Sequence, residues 1–120
     1  MKSIFTAAAL VAVSATASVA QAIPDGEYVG PGDGSRVTMI VDGDRVRLMS
    51  VGLVSACVGA GDGPISQVAE GRYQIKLSNY RPCTIDVTAM DSGYRLEPQL
   101  DMQCSEYHGQ GCGFYADVKN

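Results

Sequence analysis

The chain has no tryptophan, two phenylalanines and a single histidine. One histidine removes the multi-imidazole metal centres and leaves general acid–base chemistry largely to carboxylates. No G-x-S-x-G occurs, so the nucleophile elbow of the α/β-hydrolases is missing. C-x-x-C and C-x-x-C-H are also missing, which excludes the common redox motif and c-type haem attachment. Basic charge is scarce, with 9 Lys and Arg against 13 Asp and Glu. Nucleic-acid binding calls for a basic patch, and an anionic membrane surface would repel this balance. Past the N-terminus no stretch carries a helical apolar stripe of useful length.

The first residues, MKSIFTAAALVAVSATASVAQA, have the form of a secretory signal peptide. Lys2 supplies the positive start, Ile4 to Val13 the short apolar run, and Ala20-Gln21-Ala22 the small-x-small cleavage signal. The run is shorter than the ~20 residues that cross a bilayer, which disfavours an N-terminal anchor. The expected organisation is a signal peptide over 1–22 and a single β domain over 23–120, exported to the periplasm or secreted. Without Lys2 the mature part holds 8 basic and 13 acidic residues.

That mature part alternates apolar and polar residues in short stretches. RVTMIV (36–41) sets Val37, Met39 and Val41 on one face, and RVRLMSV (45–51) sets Val46 and Leu48 opposite Arg45 and Arg47. RYQIKLS (72–78), TIDVTAM (84–90), YRLEPQL (94–100) and FYADV (114–118) repeat the pattern, the third pointing Tyr94, Leu96 and Leu100 the same way. Period two places each set on one side of a pleated strand. DGD (42–44) and DSG (91–93) read as turns, and Pro98 marks an edge or bulge. VGLVSACVGAGDG (51–63) carries four glycines and reads as a weak strand at best. The Asp-Gly pairs at 25–26, 33–34, 42–43 and 62–63 lack the period and bidentate acid of calcium loops. The expected fold is all-β, a small antiparallel barrel or sandwich built as a meander of about six to eight strands.

Four cysteines, Cys57, Cys83, Cys104 and Cys112, all lie in the mature part. An even count in a small exported chain implies disulfides, and four cysteines allow three pairings. Cys104 and Cys112 enclose a glycine-rich segment that could turn back on itself, so Cys104–Cys112 and, by remainder, Cys57–Cys83 are the expected bridges. The enclosed stretch, CSEYHGQGCGF (104–114), also holds His108. Cys104, His108 and Cys112 at spacings of four would share one face of a helix and could ligate zinc or copper. Gly109, Gly111 and Gly113 argue against that helix, each costing about 1 kcal/mol relative to alanine. A catalytic cysteine–histidine pair needs a free thiolate, and any carboxylate chemistry would fall on Asp101 or Glu106 without a spacing that singles them out. Neither a catalytic residue nor a cofactor is expected.

CSEYHGQGCGF and the short strand after it resemble the C-terminal signature of small uncharacterised exported proteins of Gram-negative bacteria. CVGAGDG (57–63) and the cysteine before TIDV (83–87) fit the same group. Those proteins are similar in size and strand content to the periplasmic lysozyme inhibitors, which are small disulfide-bonded β-barrels. The tryptophan-containing motif of the membrane-bound inhibitors is absent, so no inhibitor residue is carried over. The resemblance implies an exported, non-catalytic binding or inhibitor-type protein directed at a cationic protein such as a lysozyme. Asp25, Glu27, Asp33 and Glu106 would then attract the partner at long range. The alternatives are a structural envelope-associated module without a specific ligand, and a metal-binding protein using Cys104, His108 and Cys112.

Overall fold

The alternating stretches become antiparallel strands in a computed structural model, which describes residues 22–54 and 56–120. Residues 1–21, nearly all of the expected signal peptide, lie outside the described residues. The strands are β1 (Gly26–Pro31), β2 (Ser35–Asp42), β3 (Arg45–Gly52), β4 (Val58–Ala69), β5 (Arg72–Leu77), β6 (Cys83–Met90), β7 (Gly93–Pro98) and β8 (Ala116–Val118). Each pairs with the next in chain order, so the sheet is a meander. It curls until β8 returns to β1, where Val29 and Lys119 exchange backbone hydrogen bonds of 2.9 and 3.0 Å. The result is a nearly closed eight-stranded barrel, in which closure removes the exposed sheet edges that invite aggregation. Gly30 permits the seam, because a β-carbon there would collide with the backbone of Asp117.

The inward face is the one the alternation marks. Val37, Met39, Val41, Val46, Leu48, Tyr73, Ile75, Leu77, Ile85, Val87, Leu96, Ala116 and Val118 are all buried. Burying each large aliphatic side chain stabilises by about 1.5–3 kcal/mol over leaving it in water. The outward side of β5–β8 is polar. Arg95 and Asp117 face each other there across β7 and β8, with the Nε–Oδ1 ion pair at 2.8 Å.

Three expectations need correction. Leu100 does not join the apolar face of β7: the strand ends at Pro98, and Leu100 is exposed. Pro98 closes that strand, beyond Leu96, the last residue that β8 reaches. The 51–63 stretch, expected to be a weak strand at best, ends inside β4 (Val58–Ala69), the longest strand described. Its first half pairs with β3 and its second half with β5, so β4 turns the corner between the two halves of the barrel. Gly59, Gly61 and Gly63 repeat at period two on its inward side, all buried. They are not strand breakers here but clearance for what enters the barrel beside them.

The third correction concerns the bridges. The disulfide joins Cys83 to Cys104, not Cys104 to Cys112 or Cys57 to Cys83. Residues Asp101–Tyr107 form a 3-10 helix rather than part of a glycine loop. The helix packs against the start of β6 and carries Cys104 to Cys83, while the glycines that follow lead Cys112 back toward β3.

Candidate functional site

The two ends of the barrel differ. At one end lie the N-terminal segment and the β2–β3, β4–β5 and β6–β7 turns. Ile23, Tyr28 and Tyr73 fill it, with Tyr94 edge-on to Tyr28 at 5.4 Å between ring centres. Burial raises the pKa of Tyr28 and Tyr94 above the ordinary phenol value, and neighbouring Asp25 adds to the rise at Tyr28. The other end collects the β1–β2, β3–β4 and β5–β6 connections and the long passage from β7 to β8. All four cysteines and His108 are there.

A cap closes this second end. After the 3-10 helix the chain runs extended alongside the free edge of β4, where His108 bridges Gly59 and the Gly109 N–H donates to the Val58 carbonyl at 3.3 Å. The buried Tyr107 ring lies against Gly61 and Leu77: a β-carbon at position 61 would stand 2.8 Å from that ring. Its hydroxyl accepts a 2.9 Å hydrogen bond from the backbone N–H of Tyr80. The Ser50 hydroxyl, itself buried on β3, donates to the Cys112 carbonyl. Phe114 is fully buried beneath the loop and meets the His108 ring edge-on at 5.5 Å. The β3–β4 tip is stitched to the β1–β2 turn by the Leu53 N–H on the Gly34 carbonyl, 3.1 Å. The loop therefore seals the barrel rather than rimming an internal chamber.

The rim around the cap gathers most of the exposed apolar side chains. Nine large hydrophobic side chains are exposed among the described residues, and seven belong to this end: Val51, Leu53, Val54, Val58, Tyr80, Leu100 and Tyr115. Val54 is 95% exposed, Val58 71% and Leu53 66%. Val51 and Val58 face each other across β3 and β4. Beside them a groove of about 500 Å³ is lined by Met49, Val51, Val58, Ala60, Tyr80, Glu106, Tyr107 and His108. Large exposed apolar groups gathered in one place mark interaction surfaces, whereas scattered ones are ordinary.

The chemical candidates are placed as follows. Cys104 is spent in its bridge to Cys83, so Cys104, His108 and Cys112 do not form a ligand set. Among the described residues, no group of three or more His, Cys, Asp or Glu side chains could hold a metal ion. The His108 Nδ1 lies 2.9 Å from the Gly109 carbonyl. A carbonyl only accepts, so Nδ1 carries the proton. The Cys112 thiol donates to the same carbonyl at 3.2 Å, and burial pushes its pKa up, away from the thiolate. Glu106 accepts from the Arg81 backbone N–H at 3.3 Å and sits 3.7 Å from its guanidinium; Asp101 opens the 3-10 helix. The four acidic residues expected to act together are divided. Asp33 and Glu106 belong to the capped end, and Asp25 and Glu27 lie toward the other, Asp25 accepting a 2.8 Å bond from the Gly43 N–H.

Sequence reasoning missed the Val51–Val58 patch because the segment was discounted for its glycines. The signal was present: Gly59, Gly61 and Gly63 alternate with Val58, Ala60 and Asp62, the pattern of a strand that is smooth inside and variable outside. Among the described residues no helix is long and apolar enough to cross a membrane. Compared with known proteins, the chain matches no family model, no curated protein and no solved structure.

Proposed function

We propose that this is an exported, non-catalytic binding protein of the inhibitor type that engages a protein partner through the capped end of its barrel. The observation that carries the reading is the collection of exposed apolar side chains at that end, around a cap held by a disulfide and by buried Tyr107 and Phe114. A rigid platform of this kind loses little entropy on binding, and buried apolar and aromatic anchors supply most of the energy of protein interfaces. The disulfide fits an oxidising compartment outside the cytoplasm, of which the periplasm is the one the resemblance favours.

The partner is a cationic protein, of which lysozyme is the first to try. Support comes from the acidic balance of the mature chain and the likeness to the lysozyme inhibitors. With the acidic side chains divided between the ends, attraction acts through the field of the whole barrel and raises the rate of encounter, while the apolar end makes the contact. Calorimetry against c-type, g-type and i-type lysozymes at low and physiological salt tests this. Binding should weaken at least tenfold in Val58→Asp and stay unchanged in Met90→Asp at the opposite end. No binding and no protection of lysozyme activity would leave a structural envelope module without a specific ligand as the better reading. Binding that Val58→Asp leaves untouched would move the contact elsewhere.

A further inference from the structure

Cys57 and Cys112 are 55 positions apart in sequence and meet at the capped end. Both touch the space above Gly109: a β-carbon built there would lie 3.2 Å from the Cys57 Cβ and 3.7 Å from the Cys112 Sγ. Burial, and after it the neighbouring Cys57, raise the Cys112 pKa. Their backbones are held on both flanks. The Cys57 carbonyl accepts from the Gly52 N–H at 2.9 Å, the Val58 carbonyl accepts from Gly109, and the Cys112 carbonyl accepts from Ser50. Cys57 is half-buried beside the apolar patch, and Cys112 is buried beneath the loop. With Cys83–Cys104 closed, this is also the single pairing that completes four cysteines.

We propose that Cys57 and Cys112 form a second, reducible disulfide, a latch that ties the β3–β4 tip to the capping loop. The oxidant is a disulfide of the oxidising compartment. Cys57, the more accessible, loses its proton and attacks one sulfur of that disulfide, giving a mixed disulfide and releasing one thiolate. Cys112 then loses its proton and attacks the Cys57 sulfur, releasing the second thiolate. Both thiolates take up the two protons, so one protein disulfide and two small thiols replace two protein thiols and one small disulfide. The order follows from burial, which keeps Cys112 protonated until the mixed disulfide lies against it. The two bridges differ in access. Cys83 and Cys104 are buried in the barrel wall and under the helix, whereas the latch sits at the surface with Cys57 partly in solvent. A reductant therefore reaches the latch first, and opening it leaves the wall bridge intact.

The inference stands apart from the binding proposal, since it concerns bonds and not a partner. The exported full-length mature protein is equilibrated in glutathione buffers of graded ratio, quenched, alkylated and mapped by mass spectrometry without reduction. In oxidised glutathione, peptides containing Cys57 and Cys112 should be joined, with the loss of two hydrogen atoms. As the buffer becomes more reducing, these two cysteines should take the label at a ratio at least tenfold less reducing than Cys83 and Cys104 require, with the far-ultraviolet circular dichroism unchanged. Cys112→Ser should retain one glutathione on Cys57. Joined peptides that pair Cys57 or Cys112 with Cys83 or Cys104 overturn the proposal, as does alkylation of both Cys57 and Cys112 after oxidation. Simultaneous opening of both bridges overturns the latch, and a Cys112→Ser protein without the glutathione adduct overturns Cys57 as the entry thiol.

Discussion

Tyr107 occupies the space that a side chain at Gly61 would fill. A β-carbon at 61 would stand 2.8 Å from the Tyr107 ring and 2.9 Å from the Leu77 side chain, both buried. Gly61→Val should therefore push the cap out of the barrel end and lower stability by about 1–3 kcal/mol, the usual range for overpacking. Urea denaturation reads the loss. A variant as stable as the parent would show that Tyr107 does not rely on this gap.

Tyr107→Phe tests the hydroxyl alone. It removes the acceptor for the Tyr80 N–H while keeping the ring against Gly61. The expected loss is about 1 kcal/mol, with Tyr107→Ala costing about 3–5 kcal/mol because the ring is buried. Equal losses for the two variants would assign the effect to the hydrogen bond rather than to packing.

Cys83 and Cys104 are 21 residues apart, and closing a loop of that length restricts the unfolded chain. In the chain-entropy model Cys104→Ala in the non-reduced protein should cost about 3 kcal/mol. Calorimetric melting of parent and variant without reductant measures this, and strong reductant, which opens the parent's wall bridge, should remove most of the difference between them. A variant that melts with the parent would mean the bridge contributes no stability.

Asp117 carries a pH signature. The hydrogen bond and charge of Arg95 hold its carboxyl below the ordinary carboxylate pKa. A depressed folded-state pKa contributes stability that is complete above the unfolded value, near 4, and fades as pH falls through the folded one. Asp117→Asn should flatten that acid-side slope and leave the slope above neutrality unchanged. The pair is exposed, so the effect is small and shrinks with salt. An unaltered acid limb in the variant would show that other carboxylates set it.

Ser35 is buried at the start of β2, and its hydroxyl has no hydrogen-bond partner among the described residues. Ser35→Ala removes a desolvated donor without opening a large void. Stability should hold or rise, by up to about 1 kcal/mol, in thermal melts. A clear loss would mean the hydroxyl is satisfied in solution.

The sequence by itself determined the strands and their faces wherever apolar and polar residues alternate. At Val37, Met39 and Val41, or Tyr73, Ile75 and Leu77, local alternation and burial coincide, because a pleated strand turns every second side chain to the same side. It did not determine what β4 faces. Glycine in a strand is unfavourable alone, and becomes necessary only where another part of the chain, here Tyr107 and His108, fills the same space. It did not determine the bridge either. Spacing suggests that near cysteines pair, but a disulfide needs two β-carbons brought together, and that was decided by the 3-10 helix packing on β6. The apolar end is the same kind of fact. Leu53, Tyr80, Leu100 and Tyr115 are separate in sequence, and only the meander, which returns alternate connections to one side, brings them to the same end of the barrel.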